Sequence, residues 1–485
     1  LAANYVVVKE QEREQIIIEQ VKQIAKEQGG EALFEEGLLE EVNFLVEYPT
    51  ALYGKFSEDY LALPPEVLIT TMREHQRYFP VVDQGNKLLP VFITVRNGTA
   101  EHIEIVRDGN ERVLKARLAD AKFFFDEDKK ISLVDQVEKL RNIVFQEGMG
   151  SIHDKVERLM KLAEIMPKML EMDPTVGEKA KRVAFLSKAD LVTNMVKEFT
   201  ELQGIMGREY ALVSKEEEAI AQGISEHYLP RFAGDMLPKS TIGKIVSIAD
   251  KIDTLVACFS LGLIPTGSQD PYALRRQSYG IVNILLEAGW KITLGELVEQ
   301  ALNLLPEANL KRSKEEIRAD VLEFFRQRIR NLLLDKGIKY DVVDAVMEVG
   351  YQNVANLWVR ALAVKEFIPR LEFEHLLAAF TRVDNLARKA EKAGVKAELF
   401  VEQGEQELYQ AYLVVKNEVS RALQEENYQQ AMIWLAKIRT RVDAFLEQTM
   451  VMVEDQEVKN NRLALLKDIQ ILFLSVANFN QIVKE

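Results

Sequence analysis

From Gly150 to the end of the chain there is almost no alternating apolar–polar pattern; apolar residues recur instead at helical spacing, segment after segment. The interruptions contain proline: Asp173-Pro174, Leu229-Pro230, Leu237-Pro238, Ile264-Pro265-Thr266-Gly267, Leu305-Pro306 and Ile368-Pro369. Proline lacks an amide hydrogen and disfavours the α conformation in the residue before it, so each pair ends one helix or opens the next. A run of this kind buries its apolar stripes only by packing helix on helix, which excludes a sheet-based fold for the larger part of the chain.

Residues 5–145 hold most of the strand signal. The stretch 10–28 reads as a helix, because Ile16, Ile17, Val21 and Ile24 share a face and Gly29-Gly30 ends it. Residues 5–8 read as a strand, as do the short β-rich runs 67–71, 78–82 and 88–94, the last two joined by the turn Asp83-Gln84-Gly85-Asn86 into a hairpin. From Asn110 the pattern turns helical, through 111–125 and 133–145. The expected fold class is mainly α and multidomain: an α+β region at 1–149, then helical domains at 150–268, 269–369 and 370–485. At roughly 150 residues per domain, 485 residues suffice for several separate cores.

Charge and cysteine content exclude whole classes of function. Lys and Arg number 62 against 76 Asp and Glu, a net charge of −14, so the chain is no general basic coat for nucleic acid and any such contact is a local patch. The single Cys258, in the apolar run Leu255-Val256-Ala257-Cys258-Phe259, excludes a disulfide framework and a multi-cysteine zinc site and reads as core. No stretch of about 18 apolar residues is present, so no membrane partner is expected. The start, Leu1-Ala2-Ala3-Asn4-Tyr5, has neither a basic n-region nor a cleavage pattern, and a cytoplasmic location is expected. The chain also opens in mid-pattern without Met, which reads as a piece of something longer.

Chemistry concentrates at 150–255. His153 opens a helix with Val156, Leu159, Leu162 and Ala163 inward; Val183-Ala184-Phe185-Leu186 leads into Lys188-Ala189-Asp190; Glu226-His227-Tyr228 and a helix carrying Asp250 follow. In that order His153, Asp190, His227 and Asp250 resemble the stations of the HD superfamily of metal-dependent phosphohydrolases, whose His, His-Asp dyad, His and Asp gather divalent cations that generate hydroxide. Ala189 stands where that family has the dyad His. The pair His153-Asp154 is a literal His-Asp, but its helix-opening context suits the first station better. The expectation is a degenerate HD-like helical domain whose cluster is vestigial, with no catalytic residue and no metal. An HD-type phosphohydrolase acting on nucleotide or RNA ends is the alternative.

Two further stretches suit nucleic acid. Residues 311–339 carry a net +4 inside this acidic chain, and Arg326 and Arg330, four apart, share a helix face with Lys314 and Arg318 nearby in sequence. A solvated amphipathic helix would look the same. Near the C terminus, Tyr409, Tyr412, Tyr428 and Trp434 precede Arg439 and Arg441, with Lys459, Asn461 and Arg462 beyond. Aromatic rings beside Arg and Asn can stack on and read unpaired bases, although such rings are as readily core. The segment Thr70–Pro80 gathers hydroxyl and charged groups around His75, as a site or a charged loop would, and Asp270-Pro271 reads as a helix start after a Gly-Ser loop. Nothing resembles a Gly-rich phosphate loop, a dinucleotide fingerprint or a nucleophile elbow.

Several strings together resemble one family. They are Thr71-Met72-Arg73-Glu74-His75-Gln76-Arg77-Tyr78-Phe79-Pro80, Gly109-Asn110-Glu111-Arg112-Val113-Leu114-Lys115-Ala116-Arg117-Leu118-Ala119-Asp120-Ala121, Glu201-Leu202-Gln203-Gly204-Ile205-Met206-Gly207 and Pro265-Thr266-Gly267-Ser268-Gln269-Asp270-Pro271-Tyr272-Ala273-Leu274-Arg275-Arg276, with Val451-Met452-Val453-Glu454-Asp455 and Asn461-Arg462-Leu463-Ala464-Leu465-Leu466 near the end. The family is the β subunit of bacterial heterotetrameric glycyl-tRNA synthetase. The resemblance implies a chain that binds tRNA for glycine and completes an aminoacyl-tRNA synthetase whose active site, using ATP and Mg2+, lies on a separate α subunit; this chain would bind no cofactor itself. It also implies a degenerate HD-like domain at about 150–265, a helical middle region, and a C-terminal anticodon-binding-like bundle of the arginyl-synthetase type. Arg439, Arg441, Lys459, Asn461 and Arg462, with Arg326 and Arg330, are then the candidate tRNA contacts. Members of the family carry a further N-terminal portion, so this chain is expected to be truncated. A helical scaffold that only stabilises the α subunit is the remaining rival, and it predicts no RNA binding by this chain alone.

Overall fold

The computed structural model describes residues 5–34 and 36–483, so residues 1–4, read above for a targeting signal, lie outside it. The chain divides into two compact units: Leu1–Ala163, Thr175–Tyr228 and Lys239–Val246 form the first; Glu164–Pro174, Leu229–Pro238 and Ser247–Glu485 form the second. No helix among the described residues is long and apolar enough to cross a membrane.

The first unit holds an antiparallel sheet of β1 (Glu31–Ala32), β2 (Pro49–Lys55), β3 (Phe79–Val82) and β4 (Leu88–Asn97), in the order β1-β3-β4-β2. The helix Glu10–Glu27 forms where its periodicity places it and buries Ile17, Val21 and Ala25 in one cluster with Phe79, Val81, Val91 and Ile93 of the sheet. The predicted hairpin is present: Asn86 takes a left-handed φ of 61° and donates its amide to Asp83 O, closing the turn between β3 and β4.

Three local expectations are corrected, and one strand was not anticipated. Residues 67–71 are helical, not a strand, because Pro64-Pro65 starts the helix Pro65–Thr70 with proline in its first turn, and a single π-turn, Thr71–His75, extends it. Residues 5–8 form no strand; Val7 N makes one backbone bond, to Glu47 O at 2.9 Å. The strand β2 escapes a propensity reading because Pro49 and Gly54 are poor strand formers, yet it pairs with β4 along its whole length. Gly54 is needed there, since a Cβ would collide with the Phe92 ring. Finally, the helix expected over 133–145 stops early. Leu133–Val137 and a 3-10 turn, Glu138–Asn142, give way to a small hairpin, Val144–Gln146 with Gly150–Ser151, turned by Gly148 and Gly150 at positive φ.

The long helix Ile103–Asp128 begins upstream of the predicted start and ends on a buried carboxylate. Asp128 accepts from Asn194 N, Asn194 Nδ2, Met195 N and Tyr210 Oη, all at 2.9–3.0 Å, and so caps the short helix Asn194–Glu198 from outside. The helices Ile152–Met169, Pro174–Leu186, Ile205–Val213 and Glu218–Glu226 include the segment expected to be HD-like.

The second unit follows its proline punctuation. Residues 264–267, 305–306 and 368–369 all fall between helices. Helices Leu294–Leu304 and Lys314–Asp335 open on capping boxes, Thr293 with Glu296 and Ser313 with Glu316. Leu274–Ala288 starts three residues after the predicted Pro271, because Asp270 accepts from both Leu274 N and Arg275 N. The C-terminal part packs Leu371–Ala387, Gln403–Gln424, Tyr428–Lys437, Arg439–Gln448 and Gln456–Leu474 around Leu408, Val419, Phe445, Leu465 and Phe473. Cys258 is buried in this unit, as its apolar setting required.

Candidate nucleic-acid interface

In the segment expected to be HD-like, the four singled-out residues are differently employed. Asp190 is fully buried after Ala189, and its Oδ2 accepts from Gly204 N at 2.6 Å and Gly207 N at 3.0 Å. Burial pushes its carboxyl up to about 6, against the pull of those amides and of the Lys188 charge. His227 is buried too, with Nδ1 against Ile224 O and Nε2 2.8 Å from Lys188 Nζ. A carbonyl only accepts, so Nδ1 carries the ring proton and the Nε2 lone pair faces the lysine ammonium. Lys188 is itself buried, with its ammonium 4.0 Å from the centre of the Tyr228 ring. The nitrogen that would ligate a cation thus already faces one supplied by the chain, and with alanine at 189 the residues do not fit a metal centre of the HD kind.

His153 lies in the first turn of Ile152–Met169, as predicted, but its ring nitrogens face Glu138 and Glu157, each at 3.6 Å. Potential ligand atoms of His153, Asp154 and Glu157 lie within 4.8 Å of one another. Asp154, however, is engaged by Ser151 N at 2.7 Å and Ser151 Oγ at 2.8 Å, which hold its carboxyl below the usual range. Asp250 belongs to the helix Thr241–Ser260 and to the second unit.

The segment Thr70–Pro80 is largely absorbed by the fold. Thr71 Oγ1 donates to Val67 O, Tyr78 Oη to Asn110 Oδ1 at 2.6 Å, and Arg77 pairs with Glu41. Burial raises the Tyr78 phenol to about 12.

The C-terminal candidates separate into surface and interior. Arg462 is 2% exposed and is withdrawn as an RNA contact: it donates to Glu405, Glu402 and the Met450 carbonyl and locks the start of Gln403–Gln424 to Gln456–Leu474. Asn461 is withdrawn for the same reason, being buried and bonded through both amide atoms to the Lys396 backbone. Tyr412 and Tyr428 are core. Arg439, Arg441 and Lys459 remain at the surface, where Arg439 faces Asp443 at 3.5 Å, Arg441 pairs with Glu407 at 2.8 Å and Lys459 reaches Gln456.

Sequence reasoning missed the feature beside Arg441. An open cavity of about 690 Å³ is lined by Phe400, Gln403, Gln406, Tyr409, Gln410 and Arg441. Phe400 and Tyr409 meet edge to face with centroids 5.3 Å apart, and the glutamines form an exposed stripe opposite the buried Leu408, Tyr412 and Val415 of the same helix. Two half-buried rings beside several amides and a guanidinium can stack a base and hydrogen-bond its edge. The spacing of Gln403, Gln406 and Gln410 was the available signal.

In the basic stretch, Arg330 holds Asp344 through two bonds, 3.0 and 3.2 Å, and Lys314 holds Glu307 at 2.6 Å. Arg330 is therefore a tie between helices before it is a phosphate contact. Arg326 is half exposed and only 3.6 Å from Glu323, and Arg318 is exposed.

Residues 1–348 match the family model described as glycyl-tRNA synthetase beta subunit. The chain belongs to the glycyl-tRNA synthetase β-subunit family. Its relatives include the glycine–tRNA ligase β subunits of Desulforamulus reducens, 48% identical over 482 residues, and of Trichlorobacter lovleyi, 47% over 481; each comparison covers 99% of this chain and 69% of the relative. That of Clostridioides difficile is 47% identical over 485 residues, covering all of this chain and 70% of the relative. Membership makes this chain a subunit of an aminoacyl-tRNA synthetase. Residues 376–477 also match the DALR anticodon binding domain, so the cavity at Phe400 and Tyr409 lies in the part of this β-subunit chain that matches an anticodon-binding model.

Proposed function

We propose that this chain is the tRNA-binding β subunit of a glycine–tRNA ligase, recognising tRNA for glycine while a separate α subunit, using ATP and Mg2+, carries out aminoacylation. The observation that carries this reading is the Phe400–Tyr409 cavity within the DALR match, with Arg441, Arg439 and Lys459 on the same domain. In a chain of net charge −14, affinity for RNA has to come from such local groups, with cations setting register and rings and amides reading exposed bases. The full-length protein would assemble with α subunits into a heterotetramer, in the cytoplasm where charged tRNA is used.

On this reading the HD-like region is a retained helical scaffold, not a hydrolase. Its support is the Lys188 ammonium against His227 Nε2 and alanine at position 189. The test is a salt-dependent titration of the chain with tRNA for glycine and with an unrelated tRNA, followed by aminoacylation after mixing with the α subunit. Preferential binding of tRNA for glycine supports the reading. Binding of neither tRNA would favour the scaffold rival, and equal, salt-only binding of both would overturn recognition of tRNA for glycine.

A further inference from the structure

A second cavity in the same unit, about 620 Å³, lies between Lys314–Asp335 and the start of Val354–Phe367, and its lining includes Arg326, Gln352, Asn353, Asn356 and Arg360. Arg360 decides its character. The residue is 7% exposed, and Nη2 donates to Val346 O at 3.0 Å and to Gly350 O, carbonyls at the end of the helix Tyr340–Val349. Its Nε is buried without a partner, and among the described residues no carboxylate lies within ion-pair reach of the guanidinium. Burying an unpaired cation is costly, and two carbonyl dipoles at a helix C-terminus offset only part of that cost. Burial accordingly pulls the Arg360 pKa down.

The surroundings add positive potential. The cavity is bordered by the first turn of a 14-residue helix, whose N-cap Asn353 accepts from Asn356 N at 3.0 Å, and helix N-termini favour anions. Arg326 is half exposed at the rim, and Arg318, on the same helix, extends Nη2 beside Gln352 Oε1 over Gly295. Two acids also line the cavity. Glu348 is held by Asn478 Nδ2 and Gln481 Nε2 at 2.8 and 2.9 Å, and Glu323 stands 3.6 Å from Arg326. Glu323 is the side chain that an arriving anion would displace.

We infer that this notch takes one phosphate of an RNA backbone, with Arg360 as its floor and Arg326 and Arg318 at its rim. The inference rests on the tRNA reading above and adds a contact site outside the anticodon-binding match. With Nη2 committed to two carbonyls and Nε sealed, what Arg360 offers a phosphate is an unneutralised guanidinium charge at the cavity wall, and the two exposed arginines eight positions apart on Lys314–Asp335 suit a strand that continues past the notch. A free phosphate would satisfy the floor alone.

The test compares the full chain with Arg318→Gln/Arg326→Gln, a double variant that removes no hydrogen bond of the fold, and with Arg360→Lys, which keeps the charge but loses the fork. Binding of tRNA for glycine is measured across a salt series, with phosphate-ethylation interference to locate the contact. The double variant is expected to bind about 10-fold more weakly, with the salt slope reduced by about one to two, and to lose interference at a phosphate outside the anticodon loop. Arg360→Lys should lose the same interference signal while far-UV circular dichroism stays that of the parent. Unchanged affinity, slope and interference in the double variant would overturn the inference. So would inorganic phosphate that binds the parent and competes with no tRNA, which would assign the notch to a free anion. If the parent binds no tRNA at all, the tRNA reading itself fails, and the inference with it.

Discussion

Replacing Arg462 with alanine should unfold the C-terminal domain more readily, not merely weaken RNA binding. The substitution deletes bonds to Glu405 Oε1 at 3.0 Å, Glu402 Oε1 at 2.7 Å and Met450 O at 2.8 Å. Glu405, fully buried, keeps only the Val401 and Glu402 amides as donors. Breaking a buried pair by removing one partner leaves an uncompensated charge and costs about 3–5 kcal/mol. With a urea slope of about 2 kcal/mol/M, the midpoint of the transition carrying this domain should fall by about 2 M. The assay is urea denaturation followed by far-UV circular dichroism and by the fluorescence of Trp434, which lies in the domain. The pair also has a pH signature. Burial pushes the Glu405 carboxyl up, but Arg462 and the two amides pull it further down, leaving it below its ordinary value. A carboxyl depressed in the folded state stabilises fully above its unfolded pKa of about 4.3, and that contribution is lost as pH falls through the folded value. The parent should therefore weaken below about pH 4, and Arg462→Met/Glu405→Met should show less of that acid slope. An Arg462→Ala chain with the parent's midpoint but reduced tRNA affinity would refute the structural assignment and return Arg462 to the surface candidates.

Asp190→Asn should be tolerated and should flatten stability between about pH 4 and about pH 6: burial raises the Asp190 carboxyl to about 6, so the protonated form is favoured by folding and its benefit is lost as pH rises through that value. Denaturation midpoints at pH 4 to 8 check this, and an unchanged pH slope would count against it. Lys188→Met leaves His227 Nε2 without the ammonium, at a cost of about 1–3 kcal/mol, and manganese should not restore the melting temperature. Metal-dependent phosphate release from a nucleotide by the parent, abolished in Asp190→Asn, would instead promote the hydrolase alternative. Tyr409→Ala should weaken binding of tRNA for glycine by about 1–3 kcal/mol without shifting the urea midpoint, provided a base stacks there; equal affinity would show the ring to be packing only.

The one-dimensional pattern determined the helical class, the proline-marked breaks, the hairpin at Asp83–Asn86 and the helix opening at His153, because each depends on local periodicity or on the backbone limits of Pro, Gly and Asn. Family membership was legible for the same kind of reason, in strings such as those around Thr71 and Asp270, and several of those strings proved to be turns and caps. What the sequence could not decide was which cations face water. Arg439, Arg441, Arg326 and Arg462 are alike as letters, yet Arg462 is sealed between Glu402 and Glu405 and Arg360, an unremarked residue in an apolar helix, forms the floor of a cavity. Nor could it show that Lys188 would place its ammonium on His227, 39 positions away. These outcomes depend on which helices meet and on how much solvent each charge retains once they do, and that is a property of the packed structure alone.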